Sequence, residues 1–131
     1  MLRYALTIFL SAFLLFQVQP LISKIILPWF GGTPGVWTAC MLFFQLVLLA
    51  GYTYAHVVAT RLAPRKQVIV HLVVLAAAAA LLPIIPAERW KPAADGNPTW
   101  QILALLGVCV GLPYFMLATT SPLMQAWFAR T

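Results

Sequence analysis

Charge is what this chain has least of. Its 131 residues include eight Lys or Arg and two Asp or Glu, 8% in all, where a soluble globular domain carries about 25%. Hydrophobic residues make up 63%, so the polar surface of a soluble protein is missing. The uncharged gaps are long: 20 residues from Arg3 to Lys24, 36 from Lys24 to Arg61, 21 from Lys66 to Glu88 and 34 from Asp95 to Arg130. A helix needs about 20 apolar residues to cross the hydrocarbon of a bilayer. Four such gaps exclude a soluble enzyme, a disordered tail and a large extramembrane domain. They point to an all-α, polytopic membrane bundle of four transmembrane helices with short loops.

Cysteine is nearly absent too. Cys40 and Cys109 both sit in apolar stretches, with no CxxC and no Cys/His cluster, which leaves no basis for a disulfide framework or a zinc site. Carboxylates are missing from every apolar stretch. Proton- and cation-coupled transporters place one there, because a reversible charge carries the coupling. No Ser-His-Asp set or paired carboxylates occur either, so the expectation is a chain that is not an enzyme. The net charge of +6 reads as topology, with no call for nucleic acid, since basic residues gather in cytoplasmic loops.

What is there divides the chain into one transmembrane domain over 1–131. The first helix is expected over about 4–30, retained because no small-residue cleavage site follows its apolar run, and kinked at Pro20. Gly31-Gly32-Thr33-Pro34-Gly35 reads as a tight turn with Thr33 as cap and Pro34 as first helical residue. It has neither the preceding strand nor the following Lys-Ser/Thr of a phosphate loop. Further helices are expected over about 36–60, 67–85 and 98–120, the last kinked at Pro113, with a short interfacial tail over 122–131. Five basic residues, Arg3, Arg61, Arg65, Lys66 and Arg130, fall on one side, against Lys24, Arg89 and Lys91 on the other. That bias predicts cytoplasmic N- and C-termini and an external segment 87–97. Trp29, Trp37, Trp90 and Trp100 fall at outer ends and Trp127 at the inner end, the levels of aromatic belts.

Three constellations stand out. Gln17 and Gln45 share a depth near the midplane, so they are expected either to bond each other between the first two helices or to line a solute path; the bond is the favoured reading. His56 and His71 lie five residues either side of the basic linker, about 7–8 Å inside the boundary at 1.5 Å rise per residue. Paired, they would suit a haem or chlorin. Tyr52, Tyr54 and the nearby interface offer easier partners, so no cofactor is expected. Small residues are spaced for close packing: Gly107 and Gly111 as a GxxxG, Gly51 with Ala55 and Ala59, and an alanine run over 76–80.

Several stretches then resemble a known family: Ser11-Ala12-Phe13-Leu14-Leu15-Phe16-Gln17-Val18-Gln19-Pro20-Leu21, Leu27-Pro28-Trp29-Phe30-Gly31-Gly32, Val36-Trp37-Thr38, Cys40-Met41-Leu42-Phe43-Phe44-Gln45, Gly51-Tyr52-Thr53-Tyr54-Ala55-His56, Gly111-Leu112-Pro113-Tyr114-Phe115 and Ser121-Pro122-Leu123. Together they are similar to the N-terminal membrane region of bacterial fused transporter (MFS-like)/spermidine-synthase-like proteins. The resemblance implies a bacterial inner-membrane helix module. It does not imply synthase activity, because no Rossmann-type segment or polyamine-binding residues are present. The expected function is a non-catalytic accessory or scaffold subunit in the lipid bilayer, packed against other membrane protein subunits of a larger complex, respiratory or photosynthetic. The alternative is a small transporter-like module acting as an oligomer on polyamines or other small solutes.

Overall fold

The computed structural model describes residues 1–92 and 97–131; Asp95, within the expected external segment, lies outside them. Among the described residues there are five α-helices and no strand: α1 (Leu2–Phe30), α2 (Pro34–Arg61), α3 (Pro64–Ala80), α4 (Pro98–Cys109) and α5 (Gly111–Phe128), with a single 3-10 turn at Glu88–Trp90. Two helices, α1 and α2, are long and apolar enough to cross a membrane, and the bent pair α4–α5 makes a third span if taken as one.

Local chemistry sets most ends. At the close of α1, Gly31 and Gly32 both have positive φ, 91° and 60°, a conformation that glycine adopts without the Cβ penalty. The Gly32 N–H returns to the Leu27 carbonyl at 2.9 Å. Thr33 then accepts from the Val36 N–H at 3.4 Å, and Asn97 accepts from the Thr99 N–H at 3.0 Å; each is followed by proline as the first helical residue. The missing N–H of a proline costs nothing there.

Three expectations from the sequence differ from the structure. The third helix ends at Ala80, short of 85. Pro83 pushes Leu82 out of the helical region, as proline does to the residue before it, and the chain leaves the helix two residues earlier. The fourth helix over 98–120 is in fact two helices, bent by 67° at Val110. Pro113 has no N–H to return to the Cys109 carbonyl, and its ring crowds that carbonyl, so the helix breaks rather than kinks. Conversely, the tail beyond Pro122 is no separate piece: α5 runs through it to Phe128. Leu123 is fully buried against Ala55, Val58 and Ala59 of α2, and that packing offsets the one backbone bond lost at Pro122. In the same way α1 continues past Pro20 and Pro28.

The helix α5 is the centre of the bundle, packed against α1, α2 and α3. The larger core joins Ile26, Cys40, Phe44, Ile102, Leu106, Val110 and Tyr114. Helix ends pair alternately. Tyr4 at the start of α1 meets Phe128 at the end of α5, with ring centroids 5.6 Å apart, and Lys91 lies 5.6 Å over the Trp29 ring at the far end.

Candidate functional site

Two polar assemblies occupy the bundle. The first joins α2, α3 and α5 at the end that holds the basic linker. Gln67, in the first turns of α3, is fully buried. Its Nε2 donates to the Leu62 carbonyl at 2.7 Å and the Ala59 carbonyl at 3.3 Å, both at the C-terminus of α2. Its Oε1 accepts from the Trp127 indole N–H at 2.7 Å. The Arg130 guanidinium also donates to the Ala59 carbonyl. The last carbonyls of a helix have no partner within it, and a cation is favourable there. Gln67 and Arg130 therefore cap α2 from two other segments and lock three helices together.

His71 lies one turn further along α3, buried, with ring centroids 6.1 Å from Trp127 and 6.5 Å from Tyr54. The Tyr54 hydroxyl and His71 Nδ1 lack hydrogen-bond partners among the described residues. His56 stays exposed on α2. The structure thus does not bring the two histidines together around a common ligand: one faces inward among aromatic rings, the other outward. Among the described residues no group of three His, Cys, Asp or Glu could hold a metal.

The second assembly lies at mid-depth. Gln17 and Gln45 do not bond each other; both are exposed. The inter-helix bond is made instead by Gln19, whose Nε2 donates to the Tyr114 hydroxyl of α5 at 2.6 Å. Gln19 continues the line of Ser11 and Leu15 at four-residue spacing, the face that α1 buries. Gln17 is two residues off it, about 200° around the helix at 3.6 residues per turn. Gln19→Leu is expected to cost about 1 kcal/mol or more, since the Tyr114 hydroxyl loses its partner, whereas Gln17→Leu is expected to be neutral; thermal unfolding of both variants in detergent checks this.

Beside Gln19, α1, α2 and α5 enclose a recess of about 310 Å³. Its walls are Phe16 and Gln19 on α1, Gln45 and Tyr52 on α2, and Ala118 and Ser121 on α5. Gln45 and Tyr52 are seven residues apart, two turns along one face of α2. Both are exposed, and neither side chain makes a hydrogen bond to another described residue. No wall residue carries a charge, so the recess can exchange hydrogen bonds with a neutral group but offers nothing to neutralise an ion.

Small residues divide between the two roles expected of them. Gly51, Ala55 and Ala59 are buried within the chain; a Cβ on Gly51 would lie 2.8 Å from the Ala118 Cβ. Gly107 and Gly111 fall on different helices, either side of the α4–α5 bend, and so share no common helix face. Of the alanine run, Ala78 alone is buried.

Gln67 carries no sequence signal beyond following a basic linker. The clue lay in Trp127, whose N–H requires an acceptor when buried and whose depth matches Gln67. Searches of protein-family models, curated proteins and solved structures find no match to this chain.

Proposed function

We propose that this chain is a non-catalytic membrane module that docks, through the recess between α1, α2 and α5, against a helix of another membrane protein subunit. The observation that supports it is the pair Gln45 and Tyr52, open at mid-depth and without partners in their own chain. Lipid tails cannot hydrogen-bond an amide or a phenol, and leaving such groups unsatisfied in hydrocarbon is costly. A neighbouring helix bearing a polar side chain meets that need, as interhelical hydrogen bonds do in membrane bundles.

The four-span, cytoplasmic-termini arrangement belongs to the same reading. The Tyr4–Phe128 and Lys91–Trp29 contacts at opposite ends support an antiparallel arrangement of α1 with the bent α4–α5 pair. The basic bias sets Arg61, Arg65 and Lys66 on the cytoplasmic side of the bacterial inner membrane. The resemblance to the membrane region of fused transporter/spermidine-synthase-like proteins supports a module that is covered by further helices in its working state. The competing reading, an oligomeric transporter of polyamines or other solutes, meets an obstacle. A polycation needs carboxylates, and the sequence holds two, Glu88 and Asp95, neither within an uncharged apolar stretch.

A photo-crosslinking residue placed at Gln45 or Tyr52 in cells is expected to yield a discrete adduct with another membrane protein, while the same probe at lipid-facing Phe9 yields none. Lipid adducts alone at all three positions would sink the docking reading. Saturable uptake by the pure chain in liposomes, lost on Gln45→Leu, would favour transport instead.

A further inference from the structure

At the end of the bundle opposite Gln67, the 3-10 turn Glu88–Trp90 and the first turns of α4 form a second recess, about 380 Å³, lined by Arg89, Trp90, Lys91, Trp100, Gln101 and Ala104. Its composition is unlike the rest of the molecule. Two of the chain's ten charged residues stand here, both cations, between two tryptophans. Glu88 is not among the lining residues; it pairs with Lys91 at 3.1 Å, an exposed contact. Arg89 is exposed and makes no hydrogen bond or ion pair with a described residue. The Gln101 side-chain oxygen is shut off from solvent and has no partner among the described residues.

We propose that this recess holds the phosphate of an anionic membrane lipid headgroup, with Arg89 and Lys91 on the phosphate between Trp90 and Trp100. Three observations converge. Tryptophan marks the headgroup level of a membrane protein, and Trp90 and Trp100 frame the opening. Guanidinium and ammonium groups at that level bind phosphate, Arg with two parallel hydrogen bonds. Arg89 has no partner among the described residues, which leaves it free to take an anion. A headgroup ammonium would place a third positive charge beside Arg89 and Lys91, which an uncharged glycerol headgroup does not. Phosphatidylglycerol has this chemistry; phosphatidylcholine lacks the net negative charge.

The inference rests on the chain being a membrane-spanning bundle, and the test separates the two. Resistance of the chain to carbonate extraction from membranes reports the bundle alone. Lipid retention is then read by native mass spectrometry of the chain purified in detergent, with phosphatidylglycerol, phosphatidylcholine or soluble glycerol phosphate added. Phosphatidylglycerol is expected to be retained over phosphatidylcholine. A surface cation contributes about 1 kcal/mol to anionic-lipid binding, so Arg89→Gln is expected to weaken retention about fivefold and Arg89→Gln with Lys91→Gln about thirtyfold. Arg65→Gln, at the other end, is expected to change nothing. Equal retention of phosphatidylglycerol and phosphatidylcholine, no change on Arg89→Gln, or full displacement by soluble glycerol phosphate would each overturn the proposal.

Discussion

Gln67→Leu will destabilise the solubilised chain by about 2–6 kcal/mol, the largest effect expected of any single change, because two buried groups lose their partners at about 1–3 kcal/mol each. The Leu62 carbonyl loses its side-chain donor and the Trp127 indole loses its acceptor, while the Ala59 carbonyl keeps Arg130. Gln67→Glu will not rescue it, since a carboxylate accepts from Trp127 but has no proton to give the α2 carbonyls. Trp127→Phe will cost less, for it removes one bond of the three. The two changes act on one network, so Gln67→Leu with Trp127→Phe will fall short of the sum of the singles. Chemical denaturation in a fixed detergent measures all four variants. A double mutant that equals the sum would mean that Gln67 and Trp127 do not act together.

Gly51→Ala is expected to cost about 1–3 kcal/mol, the usual penalty for an extra methyl forced into a packed interior. The added Cβ would meet the Ala118 Cβ at 2.8 Å and the Ala118 carbonyl carbon at 3.3 Å. A backbone neighbour cannot swing aside as a long side chain would, so α2 and α5 would have to separate. Ala118→Gly removes the Cβ contact and should restore part of the loss. Gly107→Ala provides the contrast: nothing lies within 4 Å of its added Cβ, and alanine is the better helix former by about 1 kcal/mol, so that variant should be as stable as the parent or more so. Equal losses at Gly51 and Gly107 would show that α2 and α5 do not approach as closely as Gly51 and Ala118 indicate.

The partition between what is local and what is tertiary follows from the apolar composition. Element type and the capped ends were legible along the chain. Gly31-Gly32 and Thr33-Pro34 encode a turn and a helix start through φ preference and a side-chain cap, and Asn97-Pro98 does the same for α4. Those signals act within four residues and need no partner. The long uncharged gaps likewise announce apolar helices, of which α1 and α2 are long and apolar enough to cross a membrane.

Which way each helix faces was not legible. Soluble helices declare their buried side by alternating apolar and polar stripes, but α1 is apolar nearly all round, with Phe9 and Phe13 exposed and Leu15 and Ile26 buried. Depth was therefore readable and direction was not. Gln17 and Gln45 matched in depth, yet Gln19, two residues on, turns toward Tyr114. His56 and His71 matched in depth, yet one turns in and the other out. The proline effects were equally undecided. Pro113 breaks its helix, while Pro122 is carried through because Leu123 packs against α2. By itself the sequence determined an all-helical chain, its turns and how far along its helix each polar group falls, because φ preference, capping and rise per residue are local quantities. Only the tertiary structure decided the bend at Val110, the Gln67–Trp127–Arg130 cap on α2 and the recess that leaves Gln45 and Tyr52 open. Each of those depends on which faces meet, and an apolar helix in an apolar surrounding does not write its facing into its sequence.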